Sequence, residues 1–467
     1  MEATNEIIIY CAFFLILGLG SIFKWRVGFI FFLIYIFFED AIRMKFFNNN
    51  ILTQISKDLV LIGIYLGWLL ERSFKIKFYK FTISIIIIIA FQAINIFNPQ
   101  TLSLSSGIAG LKLNFFYFPI FWIASDYFSN PARLQRYFIM LMIIMSLLSI
   151  VALIQTIYGP DFWWDFFGNY DPLVHFSYHT WKEEAPVFRP FAIFNNSGRF
   201  MHLLFIYYFY LLLLWALQDV LFNRNQRFLL IICIIIFVAG FFYSINRTSF
   251  LVLAIITFAY TIHVKGMSVT QIIKQITIKR IAFAFIIIIV FYITSSVFRK
   301  EVKDIIEFLV TSVIPGHKEF SVIERFTESI ENVIKSAKES GLFGHGTGSQ
   351  SLGLTYFFGS RVKLYLTESG YANIIWEMGL VGFFLWLYMW KKIFSYFFIL
   401  YKNANLLVIN VSYIFMLLII SIFMVLIVGF QTFQSWIFNI MFWNFLGIII
   451  AIIQNDELYM KKLYQEK

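Results

Sequence analysis

Charge is what this chain has least of. Lys, Arg, Asp and Glu together make up 13% of its 467 residues, against 60% hydrophobic and 21% aromatic. So few charges cannot solvate the surface of a soluble globular domain, and a mean hydropathy of +0.79 excludes that class. Cysteine is nearly missing. Cys11 and Cys233 both lie in apolar runs, so no disulfide framework is expected. The ten-residue alternation of a membrane barrel is also missing: runs such as Ile83–Ala90 and Ile281–Tyr292 are continuous. No Asp/Glu/His spacing suggests a metal site, and no nucleophile motif stands out. The first residues, Met-Glu-Ala-Thr-Asn-Glu, are acidic where a cleavable signal is basic, so none is expected.

What remains is all-α: a polytopic transmembrane helical bundle, because only helices and closed barrels satisfy their backbone in lipid. Apolar runs fall at roughly 7–23, 27–38, 59–70, 81–97, 113–127, 137–158, 198–217, 228–245, 249–263, 281–298, 371–390, 406–429 and 433–453. At about 20 residues per span they predict about 12–13 crossings. Runs 27–38 and 59–70 are short, so they either borrow flanking residues or are re-entrant. Ten spans then occupy 1–298, a polar stretch 299–370, three spans 371–453 and a tail 454–467.

The formal charge of +11 would suggest nucleic acid in a soluble protein. Here the basic residues read as topology signals, and no nucleic-acid partner is expected. With the N-terminus outside, the inner segments hold twenty of the 37 Lys and Arg, the short outer segments eight, and the long stretch nine. Long loops are discounted in this rule. The bias therefore makes 299–370 a large extracytoplasmic loop, puts the loop 159–197 on the same side, and leaves the tail in the cytoplasm.

The polar stretch carries the main signals. Val322–Ser340 has apolar residues at Ile323, Phe326, Ile330, Val333, Ile334 and Ala337, the spacing of an amphipathic helix, with Gly341 as its C-cap. That helix is expected to pack over the bundle mouth. Gly344, Gly346 and Gly348 follow, without the Lys-Ser/Thr or the preceding strand of a phosphate loop. They read as a tight turn or a close backbone approach, and His345 lies inside it. Glu368 closes the stretch, either as a helix N-terminal residue or as a general base. In the loop 159–197, Trp and Tyr serve as interfacial anchors or, with Asp161 and Asp165, as a sugar-stacking surface. Arg189 and Arg247 are predicted at the outer membrane surface. Each either snorkels to headgroups or pairs with an anion, and two guanidinium forks on one face suit a pyrophosphate. Glu39-Asp-Ala-Ile-Arg43 and Lys57-Asp58, also outside, form another candidate part of the site.

These segments resemble the O-antigen ligase and O-antigen polymerase superfamily of bacterial envelope membrane proteins. Phe188-Arg-Pro-Phe-Ala-Ile-Phe-Asn-Asn196 is similar to an Arg-x-x-Gly-x-Phe-x-Asn-Pro motif without its Pro. Ser244-Ile-Asn-Arg-Thr248 is similar to a Ser-Arg-Gly element, and Gly341–Gly348 to a Pro-Leu-Phe-Gly-x-Gly turn. Ligases carry His, then Asn, Ser or Gln, nine residues, then Gly-x-x-Gly. Glu368, Ser369 and Gly379-Leu-Val-Gly382 keep that spacing with Glu at the His position, which favours a polymerase. The resemblance covers about 188–382.

It implies a glycosyltransferase in the bacterial cytoplasmic membrane, free of metal and cofactor, with its site facing the periplasm or exterior. The donor would be an undecaprenyl-pyrophosphate-linked glycan and the acceptor another lipid-linked repeat unit. Membrane lipid, a chain-length regulator and a flippase are the implied partners. Arg189 and Arg247 would hold the pyrophosphate, Glu368 would take the acceptor proton and His345 would orient phosphate or sugar. Gly344, Gly346, Asn195, Arg43 and Asp58 are the candidate substrate contacts. The rivals are a ligase acting on lipid A core or protein, a transferase using a polyprenyl-phosphate sugar, and a lipid-linked oligosaccharide flippase. Glu39-Asp40 in the first outer loop speaks for the second; the long outer stretch speaks against the third.

Overall fold

A computed structural model describes residues 2–47, 51–158, 178–179, 187–188, 190–194, 197–244, 247–265, 322–349, 369–428 and 435–459. They are helical apart from turns, short connections and one antiparallel pair, β1 (Tyr178–His179) against β2 (Val187–Phe188). In chain order the helices are α1 (Glu2–Phe23), α2 (Trp25–Phe47), α3 (Ile51–Glu71), α4 (Thr82–Asn95), α5 (Leu104–Phe115), α6 (Ile120–Tyr127), α7 (Pro131–Tyr158), α8 (Ser197–Leu221), α9 (Arg224–Ser244), α10 (Arg247–Lys265), α11 (Val322–Ser340), α12 (Gly370–Asn403), α13 (Leu406–Val428) and α14 (Trp436–Gln454). Eight described stretches are long and apolar enough to cross a membrane, so this is a multi-pass membrane protein. The apolar run 281–298 and most of 159–197 lie outside the described residues, as do 299–321 and 350–368 of the polar stretch.

The two short runs resolve in favour of borrowed flanks. α2 and α3 are 23 and 21 residues long and carry Glu39, Asp40, Arg43, Lys57 and Asp58 inside the bundle. They stay helical through these charges because the charges pair with one another. α3 lies unusually close to α1. A Cβ added at Gly63 would meet the Gly18 carbonyl oxygen at 1.9 Å, and one at Gly67 would meet that of Ile22 at 2.5 Å. This is a Gly-xxx-Gly stripe bringing two backbones together, which suits helices that gain little from hydrophobic exclusion in lipid.

α14 is apolar all round and 94% buried, whereas the α1 span is 22% buried. α14 is therefore the axial helix and α1 a peripheral one. Asn444 fixes the axis by donating to the hydroxyls of Tyr137 on α7, at 2.8 Å, and Tyr210 on α8, at 2.9 Å. Tyr210 in turn donates to the Met441 carbonyl at 2.8 Å.

Two runs depart from simple spans. The run 81–97 yields only the 14 residues of α4, about 21 Å at 1.5 Å per residue. The run 113–127 is interrupted between α5 and α6 at 116–119, where Pro119 has no N–H for a helical hydrogen bond. α12 is broken as well. Gly379 has φ +66° and ψ −172°, outside helical geometry. Tyr371 packs against both Phe383, at 6.2 Å between ring centroids, and Trp386, at 6.1 Å. In a straight helix those positions would stand about 18 and 22 Å away along the axis. The segment Gly370–Met378 therefore bends sharply over the rest of α12.

Gly63→Leu should push α1 off α3 and cost about 1–3 kcal/mol through overpacking. The check is a lower melting temperature of the detergent-solubilised protein, with Gly20→Leu as control, because open space surrounds Gly20.

Candidate functional site at the outer end of the bundle

Two constellations stand at one end of the bundle, where α2 finishes and α3, α8, α12 and α14 begin. This is the end that the charge bias would make extracytoplasmic. The opposite end carries the exposed pairs Arg26–Glu71 and Arg72–Asp126.

The first is a buried ion cluster. Lys57 Nζ donates to Glu39 Oε1 at 2.8 Å. Arg43 lies 3.8 Å from Glu39 and 3.5 Å from Asp40, its neighbours one turn back on α2. Arg199, in the first turn of α8, spans both oxygens of Asp40 at 2.7 and 2.8 Å. Asp58 pairs with Lys112 of α5 and accepts from the Tyr117 hydroxyl at 3.3 Å. Lys57 Nζ sits 4.7 Å and Arg199 Cζ 5.7 Å from the ring centre of Trp436, the first residue of α14, so one indole serves two cations. Among the described residues, four cations thus meet three carboxylates. Arg199 and Lys112 are the members that reach solvent, with side chains 17% and 32% exposed. The cluster joins α2, α3, α5, α8 and α14. Its members survive burial because each charge has an opposite charge within 4 Å.

The second is the break in α12. The turn after α11 is inserted into it. Leu380 and Val381, the first amides past the break, donate to the carbonyls of Gly341 and Leu342 at 3.2 and 3.0 Å. The amides of His345 and Gly346 donate to the carbonyls of Trp376 and Glu377, the last before it, at 2.9 and 3.1 Å. The groups freed by interrupting the helix are thereby satisfied by another piece of chain, as lipid requires. The fit is glycine to glycine: a Cβ on Gly344 would lie 2.4 Å from the Gly379 nitrogen, and one on Gly379 2.4 Å from the Gly344 nitrogen. α4 stops where it does because its end docks here. Asn95 donates to the carbonyls of Phe343, at 3.1 Å, and Glu377, at 3.2 Å, and Asn98 donates to that of Gly344 at 2.9 Å.

Beneath Gly370–Met378 is a cavity of about 80 Å³. Its polar lining is Gln92, Asn114, Asn373 and Glu377; Trp386, Trp390 and Trp443 form much of the rest. Glu377 is 7% exposed and accepts the Gly348 amide at 2.7 Å.

The candidate residues fall into three groups. Arg43 and Asp58 belong to the ion cluster. Gly344, Gly346 and His345 belong to the turn. The Gly344 amide donates to Ser340 and that of Gly346 to Glu377, so neither presents an N–H to a phosphate; close backbone approach is the role the structure shows for both. The His345 ring stacks on Trp376 at 3.9 Å and 7°, with Nδ1 3.3 Å from the Trp376 carbonyl. Arg247 is the first residue of α10, at the same end as the cluster, and its side chain is outside the described residues. Arg189, Asn195 and Glu368 also lie outside them. The expected amphipathic helix forms over Val322–Ser340, and Gly341 ends it with φ +61°. α11 seats itself on α12 and α13 through Ser329, Ser336 and Ser340, however, and leaves Phe326, Ile330 and Ile334 exposed. The reason is geometric: small side chains allow the closest approach to the bent half of α12.

Arg199, Lys112 and Glu377 were missed as site residues. In the sequence Arg199 and Lys112 stand out only as two of the eight basic residues of the short outer segments. Glu377 had a signal, as the one ionisable residue in the apolar run 371–390. No protein-family model matches the chain, and no curated protein matches it.

Lys57→Met should remove the 2.8 Å partner of Glu39, leave it the longer Arg43 contact at 3.8 Å, and cost up to about 3–5 kcal/mol. Adding Glu39→Leu should restore most of that in a double-mutant thermal-melt cycle. Gly344→Ala, strained at φ +72° and clashing with Gly379, should unseat the turn and speed proteolysis between α11 and α12.

Proposed function

We propose that the protein is a polymerase of polysaccharide repeat units in the bacterial cytoplasmic membrane. It would transfer an undecaprenyl-pyrophosphate-linked glycan to the hydroxyl of another lipid-linked repeat unit at the outer face. The single observation that carries this reading is the ion cluster, whose solvent-reaching members among the described residues are the cations Arg199 and Lys112, at the end that the charge bias would make extracytoplasmic. Such a surface suits a polyanionic headgroup, and the fork of Arg199 suits phosphate oxygens. Arg247, opening α10 at the same end, and Arg189, a few residues before α8, would complete a clamp with Arg199 and Lys112. The resemblance of about 188–382 to the polymerase and ligase superfamily supplies the reaction type.

In this mechanism the acceptor oxygen attacks the anomeric carbon of the donor. The bond from that carbon to the pyrophosphate oxygen breaks, and undecaprenyl pyrophosphate leaves with the bonding electrons. The arginines stabilise the charge growing on the leaving group, and Glu368 takes the hydroxyl proton. His345, held against Trp376, would act by keeping the turn seated beside the reacting sugars. Chain-length regulators and the flippase that delivers the donor are the expected partners.

A lipid-linked oligosaccharide flippase is the second reading. The break at Gly379 favours it, since discontinuous helices are frequent in alternating-access transporters. Against it, the break is filled by the glycine turn, and the buried ion pairs of the described residues gather at one end of the bundle.

Arg247→Ala should reduce polymerisation about 10²–10³-fold, the usual loss for one charge-stabilising donor. Surface glycan on gels should then collapse to single repeats at unchanged protein level; full-length polymer would remove the clamp. Glu368→Gln should likewise stop extension while donor still binds. Accumulation of finished lipid-linked polymer in a deletion strain would instead identify a ligase.

A further inference from the structure

We infer that the cavity beneath the bent half of α12 binds a small monovalent metal cation, with Glu377 as its charged ligand. The inference starts from a contrast within the molecule. Glu39, Asp40 and Asp58 are buried carboxylates, and each has a cation beside it. Glu377 is buried to a similar degree, and among the described residues no cation pairs with it. An ionised carboxylate in such surroundings carries a large desolvation cost unless a positive charge accompanies it.

The hydrogen bonds around Glu377 suit its ionised form. Gly348 donates its amide to Oε1 at 2.7 Å, and Asn114 lines the cavity beside the carboxylate. Asn114 also donates to Gln92 Oε1 at 3.0 Å, and Gln92 donates to the Met378 sulfur. Gln92 thus spends both ends of its carboxamide on protein partners, and Asn114, whose NH2 is directed at Gln92, can turn its own oxygen toward a cation. Asn373, one turn before Glu377 on the same helix, adds another carboxamide to the lining. A hard cation takes oxygen ligands, and in a lining that is otherwise mostly apolar water would complete the set begun by Glu377. Glu377 also lies in the last turn of the segment Gly370–Met378, where the helix dipole is negative.

Size and charge narrow the ligand. A cavity of about 80 Å³ has room for an ion and a few waters, and is tight for a sugar ring. One carboxylate balances one positive charge. A divalent site would call for more acids, and no group of three or more His, Cys, Asp or Glu side chains suited to a metal exists among the described residues. A bound ion would do structural work, because Glu377 also holds the Gly348 amide. Ion, bent helix and glycine turn would be stabilised together. The inference does not depend on the transferase reading.

The test uses the purified full chain in lipid nanodiscs, melted in NaCl, KCl, LiCl or N-methyl-D-glucamine chloride at equal ionic strength and at several pH values. At least one alkali ion should raise the melting temperature saturably above the organic cation, as binding to the folded state demands. Glu377→Gln should abolish the rise, and Glu377→Asp should move its midpoint to higher ion concentration. Equal melting in all four salts, including a response to pH alone that would mark a proton as the occupant, overturns the proposal. So does a rise that persists in Glu377→Gln. Should that variant not fold, the wild-type salt series and Glu377→Asp decide. No glycan substrate enters the measurement, so its failure leaves the polymerase reading untouched, and failure of the polymerase reading leaves it untouched.

Discussion

A carboxylate inside a helical bundle must find positive charge, and that requirement organises the outer end of this protein. Glu39, Asp40 and Asp58 lie on α2 and α3, yet their partners come from α5 and α8 as well. Helices that gain little by excluding water from one another are instead tied by ion pairs in a low-dielectric interior, where such pairs are strong and their loss severe. The Gly-xxx-Gly approach of α3 to α1 and the Asn444 network around α14 hold the periphery and the axis. The ion cluster ties the helix ends on the side of the bundle where α12 is broken.

The second organising constraint is backbone satisfaction. A helix broken at Gly379 exposes two carbonyls and two amides where water is scarce. The turn 341–348 answers all four, so the break and the turn are a single structural unit. This accounts for glycine on both sides of the contact, for the early end of α4 and for the seat of α11. It also brings Glu377, a buried carboxylate that pairs with no cation among the described residues, under the bent segment. The ion cluster and the Glu377 cavity share α5 as a wall, with Lys112 toward one and Asn114 toward the other.

Much of this was legible along the chain. The apolar runs, the helix Val322–Ser340 and the grouping of Glu39, Arg43, Lys57 and Asp58 follow from periodicity and from where charge interrupts grease. Arg199 was visible only as one more outer cation, because nothing local says that α8 begins against α2. Glu377 stood out as a charge in an apolar run, but its neighbours Gln92, Asn114 and Gly348 are 285, 263 and 29 positions away. Gly344 and Gly346 carried the look of a ligand loop, and only their hydrogen bonds reveal that their amides serve the fold.

By itself the sequence determined the class, and its charge bias set the expectation for orientation. Hydropathy and charge bias act through each segment's own transfer free energy, which needs no knowledge of neighbours. Only the tertiary structure decided which charges pair, which helix bends and which carboxylate is left without a cation. Those outcomes depend on helices far apart in sequence meeting within a few ångströms, where the local dielectric turns weak interactions into decisive ones.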